Sequence, residues 1–493
     1  MPRRTRTRPY ILILAALSAL AICAPALAGG PAAAAAGYAV YLPLSKSGGT
    51  ATKVPPPPPP PADQFKRWLP DINTLGSPVA TYRASVAVDP AGAIHTMYTR
   101  YGSGADLLTP AIYAYCPRSC ASADSWTRIH LGEGFLDAEL QLDPQGHPRA
   151  LLFGSARDPN SNLRVLYTYA TCDSGCVDPA AWQLTPLVAP LESTALRSEH
   201  NNHYFALDPQ GRPAFIYSDT SNDHPGTWYA YCAGPVAGCA DAAPWTETRL
   251  SQGLLGNASL AFTPQGLPRL TVDFYNPDRS TNEVWYGACD TGCDVPDSWG
   301  WKHLWDMHGS GRVHMRVDPQ GHPRAIFYTG NYANAPFTPG QLYYAWCDTG
   351  CTSADWGFYD IGLPSLAGAE SDLALDAQGN PRVAFADGSG GLGYAWCNVG
   401  CAGGDVAWGS GAVERSVELA NDFEVLPIHR CTVSTWLNGN RPWLALDAAG
   451  NPRIGYDAEH WWYGVEQTGG GARQCNDQDI TVTRLAVFPQ PAQ

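Results

Sequence analysis

Hydrophobic and polar residues alternate along this chain in runs of about four to eight, the length and period of half-buried strands. One such run, Glu139 to Leu142, leads into the turn Asp143-Pro144-Gln145-Gly146, and a second apolar run begins near Pro148-Arg149. The phrase recurs seven times, anchored at Asp89, Asp143, Asp208, Thr263, Asp318, Asp376 and Asp447, each three residues before a Gly, with Thr263 as the one departure. The anchors lie 54 to 71 residues apart. Each unit continues with a variable polar loop, a third run rich in Tyr and Trp, a cysteine pair, a Trp and a short fourth run. Four strands per unit in hairpin order make one propeller blade. The pattern therefore predicts an all-β fold, a seven-bladed β-propeller of four-stranded antiparallel blades.

The third and fourth runs set the register. Tyr113, Tyr169, Tyr229, Tyr286, Tyr344 and Tyr394 each stand three residues before a cysteine. Trp126, Trp182, Trp245, Trp299, Trp356 and Trp408 follow the second cysteine of each pair by five to seven residues. Aromatics at fixed repeat positions are what neighbouring blades need to bury against one another. The pairs Cys116/Cys120, Cys172/Cys176, Cys232/Cys239, Cys289/Cys293, Cys347/Cys351 and Cys397/Cys401 are expected to staple the turn between the third and fourth strands. In the seventh unit, three residues on from Tyr463 is Glu466, where a first cysteine should stand. Cys475 occupies the second position, and elimination leaves Cys431 as its partner. One disulfide per blade then requires a Cys431/Cys475 bridge. With no spare strand evident after Ile480 to Phe488, the ring is expected to close without exchanging strands between its ends.

The ends change the picture of compartment. Arg3, Arg4, Arg6 and Arg8 precede an apolar run from Tyr10 to Ala26 and the small-residue site Ala26-Leu27-Ala28. This is the order of an export signal, so residues 1–28 are read as a cleaved leader. Residues 29–64, Ala-rich and then Gly/Ser/Thr-rich with the proline run Pro55 to Pro61, read as an extended linker, and residues 65–493 as the propeller. Without the leader's four Arg the formal charge moves from −14 to −18. That balance repels phosphate backbones and excludes nucleic acid as a partner. Of 15 cysteines one, Cys23, leaves with the leader, and an even number remains for disulfides in an oxidising compartment. The expected product is a secreted or cell-surface monomer without a membrane span.

Candidate chemistry lies on the first strand of each unit. Two residues before the anchor stand Ala87, Gln141, Ala206, Ala261, Arg316, Ala374 and Ala445, mostly small, as a narrow channel would need. Four before it are Ser85, Glu139, Tyr204, Ser259, His314, Asp372 and Trp443. Six before it are Arg83, Asp137, Asn202, Asn257, Arg312, Glu370 and Arg441, all polar. With the variable loops carrying Asp158, Asp223, His224, Asp278, Asp457 and His460, these residues are expected to form a ligand-binding mouth at one end of the channel. The recurrent Arg149, Arg269, Arg324, Arg382 and Arg453, six residues after their anchors, are expected to hold the turn. No metal-ligand or nucleotide-binding spacing occurs, and no cofactor is expected. The Asp-rich loops could take calcium but lack regular ligand spacing.

At the level of the repeat, the region from about residue 65 onward resembles the extracellular bacterial propellers allied to sialidases and propeller lectins. The Asp-Pro-x-Gly phrase lies between strands one and two, so it is not the Asp-box of sialidases, which sits between strands three and four. The resemblance implies a surface binding or scaffold module for a glycan, peptide or protein, with no catalytic residue assigned. It also implies the alternative of an exo-acting glycosidase, using Arg83, Arg312 and Arg441 with Tyr204, Glu139, Asp372 and Asp137.

Overall fold

The structure, a computed structural model, describes residues 66–68, 80–101, 110–117, 120, 125–157, 163–188, 203–219, 225–253, 255–276, 281–307, 313–330, 340–364, 367–368, 370–402, 408–415, 433–468 and 471–488. In 66–68, 80–83, 433–438, 462–468 and 471–480, among others, only the backbone is described. The chain divides into two compact units, 1–49 and 50–493, and all described residues belong to the second.

The alternating runs become strands wherever they are bounded by the Asp turns. Blade one is β2 (Ala80–Val88), β3 (Ile94–Tyr101), β4 (Ala111–Cys116) and β5 (Thr127–His130). Blade two is β6 (Phe135–Leu142), β7 (Pro148–Arg157), β8 (Leu163–Thr171) and β9 (Gln183–Val188), and blade three is β10 (Phe205–Leu207), β11 (Pro213–Asp219), β12 (Gly226–Cys232) and β13 (Trp245–Ser251). Blade four is β14 (Leu255–Phe262), β15 (Pro268–Asn276), β16 (Thr281–Cys289) and β17 (Trp299–Met307). Blade five is β18 (Val313–Val317), β19 (Pro323–Tyr328), β20 (Leu342–Trp346) and β21 (Gly357–Asp360). Blade six is β22 (Ser371–Leu375), β23 (Pro381–Ala386), β24 (Leu392–Trp396) and β25 (Gly409–Glu414). Every pairing within these sheets is between sequence neighbours and antiparallel.

Blade seven departs from the sequence expectation. Its strands β26 (Val433–Leu446), β27 (Pro452–Thr468) and β28 (Gly471–Val487) come from the C-terminal part, and its outer strand is β1 (Lys66–Trp68), paired antiparallel with the end of β28. The ring thus closes by joining the two ends of the fold, contrary to the expected closure without strand exchange. The register expected for Tyr463 also fails, since Tyr463 lies in the second strand, opposite Val433 and Asn476. The position of a first cysteine is held by Phe488. Its N–H donates to the Pro452 carbonyl and its carbonyl accepts from Arg453 Nη1, as Cys172, Cys347 and Cys397 do in their own blades. Counting from the wrong Tyr misplaced the unit because β27 runs far past the usual strand length before it turns.

Six disulfides form, Cys116–Cys120, Cys172–Cys176, Cys232–Cys239, Cys289–Cys293, Cys347–Cys351 and Cys397–Cys401, with Cα atoms 5.7–5.8 Å apart. Cys431 and the side chain of Cys475 lie outside the described residues.

The core sits between blades. Among the described residues seven apolar clusters form, each shared by two neighbouring blades, including one in which Trp443 and Leu485 of blade seven meet Ala84, Val86 and Ile94 of blade one. Seven interfaces for seven blades is a closed ring. The repeat aromatics build these interfaces: Tyr113, Tyr169, Tyr229, Tyr286 and Tyr344 each lie edge-on to the Trp of the following blade, with ring centroids 4.9–5.6 Å apart. Such a pair contributes about 0.5–1.5 kcal/mol beyond its buried area. Trp126, Trp182, Trp245, Trp299 and Trp356 in turn donate Nε1–H to the carbonyl of the second cysteine, tying the stapled turn to the strand after it.

Candidate functional site

The Asp turns end the inner strands. In the turn of blade two, Asp143 Oδ1 accepts from the amides of Gln145 and His147 at 2.9 Å, and the closing Gly has φ near +83°, a conformation that favours glycine. Asp143 Oδ2 takes Arg149 Nη2 at 2.7 Å, and Arg149 Nη1 reaches the Cys172 carbonyl at 3.0 Å. The arginine therefore clamps the first turn to the disulfide turn. Arg324, Arg382 and Arg453 repeat the clamp on Asp318, Asp376 and Asp447 at 2.7–2.9 Å. Where Thr263 replaces the acid, Arg269 keeps its bonds to the Cys289 carbonyl and to Asp290, the latter matching Arg149 to Asp173 and Arg324 to Asp348. The structural role expected for these arginines is the one observed.

The residues four before the anchor do not line an open mouth. Ser85, Glu139, Tyr204, Ser259, His314, Asp372 and Trp443 are all buried, and most reach across to the next blade's inner strand. Ser85 Oγ accepts from Leu140 N at 3.0 Å, the Glu139 carboxylate from Tyr204 N and Phe205 N at 3.0 and 2.7 Å, and Ser259 Oγ from Met315 N at 3.0 Å. Asp372 Oδ2 accepts from Leu444 N at 2.7 Å, and Trp443 Nε1 donates to the Val86 carbonyl at 3.0 Å. Between blades three and four the backbone itself does this, Leu260 N donating to the His203 carbonyl. Leu140, Phe205, Leu260, Met315, Leu444 and Val86 occupy one repeat position, three before the anchor. Five of these seven candidate positions, Ser85, Glu139, Ser259, Asp372 and Trp443, thus serve as inter-blade latches.

Of the residues six before the anchor, Asn202 and Arg312, and the side chain of Arg83, lie outside the described residues, as do Asp158, Asp223, His224 and Asp278. The buried Asp137 Oδ1 accepts from Ala138 N, and Asn257 bonds Asp273 through both its backbone and its side-chain nitrogen. Arg441, at φ 50°, donates its N–H to Glu370 Oε2 at 2.8 Å and its guanidinium to Asp457 at 2.9 Å, with Glu459 3.5 Å away. Burial lowers its pKa, but Asp457, Glu370 and Glu459 outweigh this and hold it above the usual arginine value. Asp457 and His460 are themselves buried in the second strand.

A cluster that the sequence reading did not assemble lies between the inner strands. His203, just before β10, crosses to blade six, where Nε2 lies 2.7 Å from Asp372 Oδ1. Arg316 Nη2 lies 2.6 Å from the same nitrogen and 3.2 Å from the same oxygen. His314 Nδ1 is 3.7 Å from Asp372 Oδ1, and the His203 ring lies 4.0 Å from that of Trp443. Blades three, five, six and seven all contribute. Burial and the Arg316 charge, working against Asp372, push His203 down to about 4. Burial alone would raise the Asp372 carboxyl, yet His203 and Arg316 hold it well below the usual carboxylate range. Burial raises Glu139, opposed by the Phe205 and Tyr204 amides and by Arg316. The sequence signal was present in the repeat: His203 stands where the other blades have Ala84, Ala138, Ala258, Val313, Ser371 and Pro442, and Arg316 stands where five of the other six blades have Ala and one has Gln141.

At the turn end of the channel a cavity of about 360 Å³ is lined by Leu207 to Pro209, Phe262 to Pro264, Val317 to Pro319, Leu375 and Asp376. These are the residues flanking four successive anchors. This open depression sets the apolar Leu207, Phe262, Val317 and Leu375 beside the anchor residues Asp208, Thr263, Asp318 and Asp376.

No family model matches the chain, and no curated protein matches it. Its fold is similar to that of the polysaccharide lyase Uly1, at 10% identity over 83% of this chain and 90% of that one, TM-score 0.44. It is also similar to the intramolecular trans-sialidase from Ruminococcus gnavus in complex with oseltamivir carboxylate, at 10% identity over 62% and 90%, TM-score 0.41. The GH93 alpha-L-arabinofuranosidase of Fusarium graminearum in complex with arabinobiose matches at 10% identity over 71% and 97%, TM-score 0.38. These likenesses concern the fold, which in this chain stands on its own strand pairing as a seven-bladed β-propeller.

Proposed function

We propose that the protein is an exported, non-catalytic binding module that takes a glycan or short peptide at the turn end of its channel. The carrying observation is the cavity framed by Leu207, Phe262, Val317 and Leu375, one residue from each of four blades. The inner strands present these side chains, and the adjoining Asp208, Asp318 and Asp376, whose carboxylates are held by their own turn amides and by Arg212, Arg324 and Arg382, fix the shape of the rim. The six disulfides fit an oxidising compartment, and among the described residues no helix is long and apolar enough to cross a membrane. Glycosidases place two carboxyl groups on either side of the scissile bond. The carboxylates of Glu139 and Asp372 are instead engaged by backbone amides of the next blade, which favours binding over hydrolysis.

Screening the purified protein on a glycan array and a peptide library, beside a panel of fluorogenic glycosides, tests this reading. Saturable binding to one ligand class is expected, weakened at least about tenfold by Val317→Trp, which fills the cavity, while the thermal midpoint stays within a few degrees. Turnover of a glycoside, or binding indifferent to Val317→Trp, would overturn it.

A further inference from the structure

The hydrogen bonding around His203 Nε2 is contradictory as it stands. That nitrogen is 2.7 Å from Asp372 Oδ1 and 2.6 Å from Arg316 Nη2. Protonated, it donates to the carboxylate and meets a guanidinium N–H head-on. Unprotonated, it accepts from the guanidinium and turns its lone pair on the carboxylate oxygen. An imidazole nitrogen offers one donor or one acceptor, never both. What reconciles the lone pair and the carboxylate oxygen is a single cation facing the two together, and Arg316 fills that role poorly, since one Nη2 serves both partners where a guanidinium prefers two parallel bonds.

The remaining geometry suits a smaller, doubly charged ion. His203, His314 and Asp372 each bring one ligand atom, all within 4.8 Å of one another, from three blades. Two imidazoles and a carboxylate form the donor set taken by borderline divalent metals at about 2.0–2.2 Å per bond. The supports that such a site needs are present. The Leu373 and Leu444 amides fix the Asp372 carboxylate, and Trp443 packs against the His203 ring. Glu139 faces the same cluster from blade two and interacts electrostatically with Arg316. His203, His314 and Asp372 are buried, whereas the Arg316 side chain is 23% exposed. At its repeat position the other blades carry mostly alanine, so the channel has room to receive a displaced guanidinium.

We propose that His203, His314 and Asp372 form a binding site for a divalent transition-metal ion of the zinc class, with the Arg316 guanidinium as its built-in competitor. Ion and guanidinium exclude each other: the ion draws in both imidazoles and the carboxylate, and Arg316 swings into the channel. The site is separate from the cavity at the turn end and holds whether or not that cavity takes a ligand.

The competitor makes the test asymmetric. The full chain, stripped with a chelator and desalted, is titrated with Zn2+ by calorimetry, and retained metal is counted by elemental analysis. One ion per chain is expected, with Ca2+ and Mg2+ far weaker. Arg316→Met should tighten Zn2+ binding about tenfold or more, whereas His203→Asn and Asp372→Asn should weaken it about 10–100-fold. Co2+ gives a readout on the unaltered chain, a visible ligand-field band that Zn2+ abolishes, so the result does not depend on any variant folding. Absence of stoichiometric Zn2+ in both the unaltered chain and Arg316→Met would overturn the proposal. So would weaker binding in Arg316→Met, or binding that survives in both His203→Asn and Asp372→Asn, which places the ion elsewhere.

Discussion

Asp372 shows how much one side chain does in the inner ring: it accepts from Leu373 and Leu444, faces His203, and neutralises Arg316. The pH dependence follows from its neighbour. His203 in the folded chain titrates near 4, below the 6.5 of a free imidazole, so the unfolded chain binds a proton that the folded one refuses. Its neutral form costs nothing above pH 6.5, and stability falls as pH drops from 6.5 toward 4, by roughly 3 kcal/mol. His95, lowered by burial against the pull of Asp89, adds to the same decline. Asp372 acts lower, its depressed carboxyl stabilising the fold above its free value and losing that contribution only as pH falls through its folded value. Thermal midpoints measured from pH 8 to 4 should therefore be flat and then decline, and His203→Gln should flatten much of the slope. A profile unchanged by that substitution would count against a buried neutral imidazole. At this scale the sequence told which residues were polar but not what they faced. Alternation assigns positions four and six before the anchor to the channel face. Strand twist carries position four toward the neighbouring blade, and register shifts lie just upstream, between Tyr82 and Ser85, Phe135 and Asp137, Leu255 and Ala258, and Asn440 and Trp443.

Among the elements, β1 is the shortest addition with the widest reach. Its three residues pair with Trp68 opposite Leu485 and Lys66 opposite Val487, covering an edge that β28 would otherwise expose. Deleting residues 1–69 should lower the thermal midpoint by a few degrees and promote association through that edge, readable by light scattering. An unchanged midpoint and a monomeric truncation would show that the closure is dispensable. The first six blades were legible in the sequence because the Asp turn, the Tyr and the cysteine pair repeat at steady offsets. The seventh was legible as a unit from its Asp447 turn, but its later strands were not, because it lacks the cysteine pair of the repeat and its second and third strands run to 17 residues each. β1 was missed because three residues after a proline-rich stretch carry no period to read.

For the molecule as a whole, cohesion lies in the seven shared cores, and the disulfides act locally. Five of them close a separation of four residues and one a separation of seven, so on the chain-entropy estimate each contributes about 2 kcal/mol. Reduction under native conditions should leave the far-ultraviolet circular dichroism intact while opening the cysteine turns to protease. Loss of the dichroism on reduction would mean that the bridges hold the ring itself. The latches between inner strands have a different consequence. The chemistry varies around the ring: a serine hydroxyl from blades one and four, a carboxylate from blades two and six, a bare carbonyl from blade three and an indole from blade seven. Moving one blade to another place would set a buried carboxylate or indole against a neighbour shaped for something else. The blades look like copies, but their joints fall into a few chemical kinds, so a blade should be exchanged most readily for one whose joint is of its own kind, blade one for four or blade two for six.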